Sequence, residues 1–378
     1  MIYYALGSAL VESEELLEPT VFAKVATFSI ALAKGLKPEA VNFSTGKLNL
    51  KNFATAFNLA GNNPPVQFQP IGLGLPLTIM IREVYTGKYP KGNLFGGKKG
   101  MLLTSAIKSI TSFDAKPRAI NFLMDKIKSQ TRLERPSASS QGTPILFYSP
   151  ALLERSLTLD LTIVFDSFPQ ETFEQVGNFF TSAAGIPIFL AQSAYLVGAG
   201  MLLKLLGSAG EAIFDGNPNF ISSDGIDIFL PGRPPMPPGF ALITSDDIDQ
   251  VDPTFRQKYQ VNANGQVVDS GGAVYQGDVP YIVISLDGTK SDELSSFTPT
   301  AASAAILSRF FGIKNKQEQS LDVLLNSLKL YNDVTFRRQI EQVDKQLKDA
   351  TGDEKTALEA KRVALLKNIS EELLKPKP

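Results

Sequence analysis

The chain has 378 residues, of which 43% are hydrophobic and 20% are charged, and its formal net charge is −1. It contains no histidine and no cysteine, which excludes serine–histidine and cysteine–histidine catalysis, disulfide bonds and thiolate metal sites. The length and composition are those of a globular protein with room for two or three domains.

The first 80 residues alternate short apolar runs with turn residues, a pattern typical of β-strands. Residues 21–33 predict one strand, and residues 71–82 predict another in which Pro76 favours an edge or a bulge. The N-terminus lacks a basic region followed by an apolar run, so the sequence does not predict a secretory signal. We expect a cytoplasmic protein.

A loop rich in glycine and lysine spans residues 86–100. Residues 92–98 fit the spacing of a phosphate-binding loop, but Lys99 stands where serine or threonine should hold magnesium. No buried strand precedes the loop, so we expect no nucleotide cofactor. As candidates for contact with an anion or a phosphate we take four lysines: Lys88, Lys91, Lys98 and Lys99.

Residues 101–135 place apolar residues between seven lysines and arginines. We predict amphipathic helices here, as part of a basic helical insertion over about 86–135. Such a face suits anionic lipid or nucleic acid, but a solvated helix surface has the same pattern. The rest of the chain carries no strong nucleic-acid signal.

Several later runs are predicted strands. The run 157–165 becomes continuously apolar, as a central strand does. Asn264 and Gly265 predict a hairpin turn. The other predicted strands are residues 145–149, 226–230, 240–244 and 281–286.

Between these strands lies a stretch without any charged side chain, residues 175–203. Pro187 divides it, so we predict two hydrophobic helices over about 171–209. The stretch is long enough to be a membrane-span candidate, and it is equally typical of helices buried inside a protein. Its many small residues, with Asn178 and Gln192, favour the protein interior.

Carboxylates occur in two settings that could carry chemistry. The loop 244–253 holds Asp246, Asp247, Asp249 and Asp252, but Val251 breaks the alternation and no glycine follows, so we expect a solvated loop and no metal. Asp160 and Asp227 lie in predicted strands and would form an acid–base pair only if the fold brought them together.

From residue 300 onward the sequence is helical. Phe336, Ile340, Val343 and Leu347 repeat at the spacing of a coiled-coil seam. Gly352 ends this helix, and a second apolar series follows on the return helix. The pattern predicts an antiparallel helical hairpin whose seam packs on the parent domain or meets a partner.

The fold class that we predict is α+β. A mostly antiparallel sheet or sandwich, interrupted by the hydrophobic helices, forms a domain over residues 1–299, and the helical hairpin occupies residues 300–378.

Charge is distributed unevenly along the chain. Residues 79–135 carry 12 Lys and Arg against 4 Asp and Glu, and residues 210–300 carry 13 Asp and Glu against 4 Lys and Arg. Two surfaces of opposite sign either face each other or face different partners. With histidine and cysteine missing, we predict a non-enzymatic structural or interaction protein, a subunit of a homo- or hetero-oligomeric assembly.

Two alternatives stay open at this stage. A membrane-active effector or pore-forming subunit would insert residues 177–209 and should bind liposomes. A hydrolase using carboxylates or lysine would need a pocket in which these groups converge.

Overall fold

The computed structural model describes residues 1–6, 9–12, 14–17, 43–45, 48–50, 68–90, 99–109, 119–134, 144–168, 219–228, 236–245, 247–291, 294 and 321–376. In this part of the chain, two antiparallel sheets share one hydrophobic core, and a C-terminal pair of helices packs beside them. The predicted α+β class, with antiparallel sheets and a helical hairpin, is confirmed.

Sheet 1 has seven strands. They are β1 (Ile2–Leu6), β2 (Ala9–Glu12), β5 (Leu77–Tyr85), β8 (Arg132–Glu134), β9 (Ile145–Ser149), β12 (Gly239–Thr244) and β15 (Tyr281–Asp287). Their spatial order is β2-β1-β12-β15-β5-β8, and β9 also pairs with β5. Neighbours along the chain are seldom neighbours in the sheet, so the sheet depends on contacts between distant segments.

Sheet 2 has four strands. They are β6 (Lys99–Ser109), β7 (Ala119–Ile127), β10 (Ser156–Asp166) and β11 (Phe220–Asp227), in the order β11-β10-β6-β7. Two small ribbons complete the strands of the described residues, β3 (Phe43–Thr45) with β4 (Leu48–Leu50), and β13 (Tyr259–Val261) with β14 (Val267–Asp269).

The shared core lies between the two sheets. On β10, alternate residues such as Leu159, Leu161 and Ile163 point into it, and they meet residues such as Ile81 and Ile284 of sheet 1. Alternation follows from the pleat of a strand, which turns successive side chains to opposite faces. Burying each such side chain stabilises the fold by about 1.5–3 kcal/mol.

The second face of sheet 1 is covered by residues 247–280. This segment contains helices α1 (Ile248–Val251) and α2 (Phe255–Lys258) and the β13–β14 ribbon. Ile248, Phe255 and Val267 pack against Leu242 and Val283 of the sheet. Sheet 1 is therefore buried on both faces, which explains why every residue of β15 from Tyr281 to Leu286 is buried.

The C-terminal pair consists of α3 (Leu321–Gln346) and α4 (Gly352–Asn368), followed by a 3-10 helix, Glu372–Leu374. Gly352, the first residue of α4, takes a positive φ of 58°, a backbone conformation that favours a residue without Cβ. The two helices have their own hydrophobic cluster, which Leu153 of the sandwich joins.

The helical prediction for the basic stretch is wrong. Residues 99–109 and 119–127 form β6 and β7, which pair with each other, and β6 also pairs with β10 over ten positions. Met101, Leu103 and Ile107 enter the core at the two-residue period of a strand. Apolar residues spaced for a helix also fit this period, and pairing with β10 decided between the two.

The remaining predicted elements have mixed outcomes. The strands over 145–149, 157–165, 240–244 and 281–286 are confirmed, as is the hairpin turn at Asn264 and Gly265. The strand predicted over 71–82 begins only at Leu77, after Pro76, because proline has no N–H to give to the ladder.

Some predictions fall outside the described residues. These are the strand at 21–33, the whole hydrophobic stretch 171–209, and the domain boundary at 299/300. Within the described ranges, no helix combines the length and the apolar character needed to cross a membrane.

Candidate functional site

Ionisable side chains gather at two points on the covered face of sheet 1, each around one arginine. The Arg132 cluster comprises Glu83, Tyr85, Arg132, Tyr275 and Tyr281. The Arg256 cluster comprises Tyr3, Glu12, Glu15, Asp249 and Arg256.

Strand pairing positions the Arg132 cluster. Tyr281 on β15, Tyr85 on β5 and Arg132 on β8 are direct cross-strand partners and form one row. The Tyr85 and Tyr281 rings stack with centroids 5.1 Å apart, and the Arg132 guanidinium lies 5.0 Å from the Tyr85 ring centroid. A guanidinium over an aromatic face is attracted by the ring's negative charge distribution.

Hydrogen bonds close the cluster around Glu83. Arg132 Nη1 donates to Glu83 Oε1 at 2.6 Å and to the Tyr281 hydroxyl at 2.7 Å. The Tyr281 hydroxyl donates to the same Glu83 oxygen at 2.7 Å. Arg132 Nη2 donates to the carbonyl oxygen of Tyr275. One arginine thus ties β5, β8, β15 and the loop of residue 275 together.

Burial sets the proton affinities in this cluster. It raises the pKa of Glu83, and the hydrogen bond from Tyr281 and the charge of Arg132 offset only part of that rise. Burial likewise raises the pKa of Tyr281, and it raises the pKa of Tyr275 to about 12. Tyr275 and Tyr281 are therefore neutral at neutral pH, and the cluster works as a buried clamp.

The Arg256 cluster joins the start of the chain to the covering segment. The Arg256 side chain is 8% exposed. Its Nε donates to the carbonyl oxygen of Leu10 at 3.0 Å, and its Nη1 donates to Glu12 at 3.1 Å and to Asp249 at 2.9 Å. Its Nη2 donates to Glu15.

The local charge of the Arg256 cluster is negative, because three carboxylates surround one guanidinium. Burial raises the pKa of Glu12, and Arg256 lowers it by less. Among the described residues, no three or more acidic side chains have an arrangement that could hold a metal ion.

The described aspartates of the loop 244–253 form local hydrogen bonds that stabilise the loop. Asp247 accepts a hydrogen bond from the Asp249 amide at the start of α1, and Asp252 accepts from the Thr254 amide and hydroxyl. Asp246 lies outside the described residues. Asp247 thus caps α1, and Asp252 closes the turn before α2. Aspartate is common at both kinds of position because its carboxylate accepts hydrogen bonds from nearby backbone amides.

The two strand carboxylates are not an acid–base pair. Asp160 accepts from the hydroxyl of its cross-strand partner Ser223, and Asp227 lies opposite Ser156. Four residues of β10 separate these rungs, which corresponds to roughly 13 Å.

The structure describes two of the four candidate anion-binding lysines. Lys88 is exposed, with its ammonium 5.6 Å from the Tyr89 ring centroid. Lys99 begins β6 and is partly buried opposite Ile127. Lys91 and Lys98 lie outside the described residues. Contact of these lysines with an anion stays a prediction.

The predicted seam residues lie inside the helical pair. Phe336, Ile340 and Val343 are buried against Leu365 and Ile369. Leu347 packs at the edge of the same cluster. The structure gives these four residues an internal role, and contact with a partner stays a prediction.

The sequence alone did not point to either arginine cluster. Arg132 and Glu83 are 49 residues apart, and Glu83 and Tyr281 are 198 apart. A charged residue inside an apolar strand, such as Glu83 in β5, is the one local signal that predicts a buried partner of opposite charge.

Three exposed apolar residues lie on the two segments that meet where the sandwich contacts α4. Leu73 and Leu75 are 40% and 41% exposed, and Val363 is 50% exposed. Gly74 lies between the two leucines, and its carbonyl oxygen accepts from Lys367 Nζ at 3.4 Å. A Cβ at Gly74 would lie 3.8 Å from that of Ala364, the neighbour of Val363. We call Leu73, Leu75 and Val363 the turn–helix patch.

No protein-family model matches the sequence, and no curated protein is significantly similar to it.

Proposed function

We propose that this protein is a non-enzymatic structural subunit that associates with further copies of itself through the turn–helix patch. The cytoplasm is the compartment that we propose for it. The proposal rests on the turn–helix patch, in which three large apolar side chains are exposed to solvent on two segments that contact each other. Grouped apolar exposure is typical of contact surfaces.

Anchoring of both segments supports the proposal. The Gly74 amide donates to the carbonyl oxygen of Leu152 at 2.8 Å, and the Leu152 amide donates to that of Leu75 at 2.8 Å. Asn368 Nδ2 on α4 donates to the carbonyl oxygen of Ala151 at 2.8 Å. A surface fixed before binding loses little conformational entropy when a partner arrives.

The charge distribution adds a second support. The basic and acidic blocks meet at the loop 275–279, where the Lys88 amide donates to the carbonyl oxygen of Asp278 and Gln130 Nε2 to that of Gln276. The charges that remain exposed beside this junction include Lys126 and Lys128. Such charges steer association, and salt screens them beyond about 10 Å at 0.1 M.

Sedimentation velocity of the full chain at low and high salt tests the proposal. We expect self-association that weakens at high salt. Leu75→Asp should weaken it by about tenfold or more, because a carboxylate must then be desolvated in the contact. The matched control is Val251→Asp, at a residue that is 50% exposed, against 41% for Leu75, but lies on α1. A monomeric mass at both salt concentrations, or equal effects of the two variants, would refute the proposal.

A further inference from the structure

The β13–β14 ribbon turns at Asn264 and Gly265, which form the only Asn–Gly pair in the sequence. Asn264 is exposed at the turn, whereas Gly265 is buried. Asparagine is a chemically labile residue, and a following glycine favours loss of its side-chain amide because glycine has no side chain to hinder attack by its own backbone nitrogen. The turn therefore carries the pair of residues that this modification requires.

The reaction needs water as its only co-reactant. The Gly265 nitrogen attacks Cγ of Asn264, a C–N bond forms, and the side-chain nitrogen of Asn264 leaves as ammonia, taking up the proton of the Gly265 amide. The product is a cyclic imide, which water opens at either of its two carbonyl groups. The result is aspartate or isoaspartate, and both carry a carboxylate in place of the neutral amide.

Hydrogen bonds of the native turn oppose this reaction. The Gly265 amide donates to the carbonyl oxygen of Asn262 at 2.9 Å. Asn262 Oδ1 accepts from the Asn264 amide at 2.9 Å and from the Gln266 amide at 3.0 Å. Because the Gly265 nitrogen loses its proton when the imide forms, ring closure must first break its bond to Asn262. Asn262 thus restrains the backbone on both sides of the reacting pair.

Packing against sheet 1 restrains Gly265 further. Gly265 has a φ of 80°, and a Cβ there would lie 3.0 Å from Cβ of Arg82 and 3.2 Å from the Phe240 ring. Two side chains of sheet 1 therefore lie at close range to this glycine. Isoaspartate adds one methylene group to the backbone beside it, which this close packing does not accommodate unless the ribbon moves.

We propose that Asn264 is a site of spontaneous deamidation that the native turn keeps slow, and that Asn262 is the residue that restrains it. The reaction proceeds through local opening of the β13–β14 ribbon, in which the Gly265 amide is released from Asn262. Conversion to isoaspartate then prevents the ribbon from packing on sheet 1 as before. The modification therefore loosens the segment that covers this face of the sheet.

Incubation of the full chain in water enriched in heavy oxygen tests the proposal, because each deamidated residue takes up one labelled oxygen that peptide mass spectrometry locates. The native protein is compared with the same chain unfolded in urea. We expect Asn264 to be modified in both, and at least about tenfold more slowly in the native protein, since the turn must open first. Equal rates in the two states, or no product at Asn264 in urea, would overturn the proposal.

Variants of Asn262 test its part in the restraint. Asn262→Ala removes the side-chain acceptor of two amides and should raise the native rate at Asn264 by about threefold or more, with the rate in urea unchanged. Asn262→Asp keeps an acceptor oxygen and should retain the slow native rate. The comparison of native and urea-unfolded chains decides the proposal even where Asn262→Ala fails to fold.

The matched control is Asp269→Ala. Asp269 Oδ1 likewise accepts from two backbone amides, but in the turn that follows β14. This variant should leave the native rate at Asn264 unchanged. An equal acceleration by Asp269→Ala, or no acceleration by an Asn262→Ala protein that keeps the native unfolding transition, would refute the role of Asn262.

Discussion

Glu83 and Arg132 form a buried ion pair in which each charge is stabilised by the other. The Glu83 side chain is 1% exposed and that of Arg132 is 16% exposed. Removing one partner of a buried pair leaves the other charge out of water, which typically costs about 3–5 kcal/mol. Tyr281 adds a hydrogen bond to each partner. At the residue scale, the fold therefore depends strongly on a few polar side chains.

Arg132→Met should lower the free energy of unfolding by about 3–5 kcal/mol, because Glu83 loses its cation while it stays buried. Arg337→Met is the control, since Arg337 is 44% exposed and pairs with the exposed Glu341, a pair worth about 0–1 kcal/mol. Urea unfolding of both variants measures the difference. Comparable losses in the two variants would show that the Arg132 pair is not a buried clamp.

The stability contributed by Glu83 should depend on pH in a defined direction. Burial raises its pKa in the folded protein above the ordinary value of 4.5. The folded state then binds this proton more readily than the unfolded state does, so stability rises as pH falls from above the raised pKa toward 4.5. Glu83→Gln removes the titration.

Urea unfolding of both proteins from about pH 8 to about pH 5 checks this direction. The stability of the unsubstituted protein relative to Glu83→Gln should increase as the pH is lowered. Because the comparison is a difference, other titrating groups such as Glu12 cancel. A difference that stays constant, or that shrinks as the pH falls, would contradict the expectation.

At the scale of elements, β5 ends in a turn that passes very close to another segment. Gly87 has a φ of 53°, and a Cβ there would lie 2.5 Å from both the Asp278 carbonyl oxygen and the Pro280 nitrogen. Both are backbone atoms, which cannot rotate away as a side chain can. Glycine at this position lets the end of β5 meet the loop that leads into β15.

Gly87→Ala should lower the free energy of unfolding by at least about 2 kcal/mol, because left-handed strain and overpacking act together. Gly272→Ala separates the two effects. Gly272 also has a positive φ, of 85°, but no atom lies within 4 Å of its Cβ position. We expect Gly272→Ala to lower the free energy of unfolding by only about 1 kcal/mol, the cost of the left-handed backbone conformation for alanine. Thermal and urea unfolding of the pair should show this order.

At the scale of the whole molecule, the described residues form a sandwich covered by a further segment and a helical pair with a separate core. The helical pair is joined to the sandwich by Leu153, by Asn368 and by the Gly74 turn. Asn368 is 4% exposed and donates to the carbonyl oxygens of Ala151 and Ala364. We expect the pair to open more readily than the sandwich.

Asn368→Ala should increase hydrogen exchange in α3 and α4 while exchange in β10 and β15 stays unchanged. The Ala151 carbonyl oxygen loses this donor, a loss of about 1–3 kcal/mol for a buried group. Thr356→Ala is the control on the same helix, because Thr356 is exposed and bonds only within α4 among the described residues. Equal changes in all four elements would show that the pair and the sandwich unfold as one unit.

The sequence by itself determined the elements whose residues repeat at one clear period. The alternation of 157–165, the largely apolar segment 281–286, the Asn264–Gly265 turn and the seam of α3 depend on neighbours a few residues away, so the chain shows them directly. For the Arg132 cluster, the sequence showed one feature only, a glutamate within the largely apolar strand β5.

The tertiary structure decided everything that depends on distant neighbours. Pairing with β10 made strands of the basic residues 99–109, since their apolar spacing fits a helix and a strand alike. The loop at Asp278 decided that residue 87 must be glycine. Arg132, Glu83 and Tyr281 met only after β5, β8 and β15 had aligned, because a buried charge is stable only beside its partner.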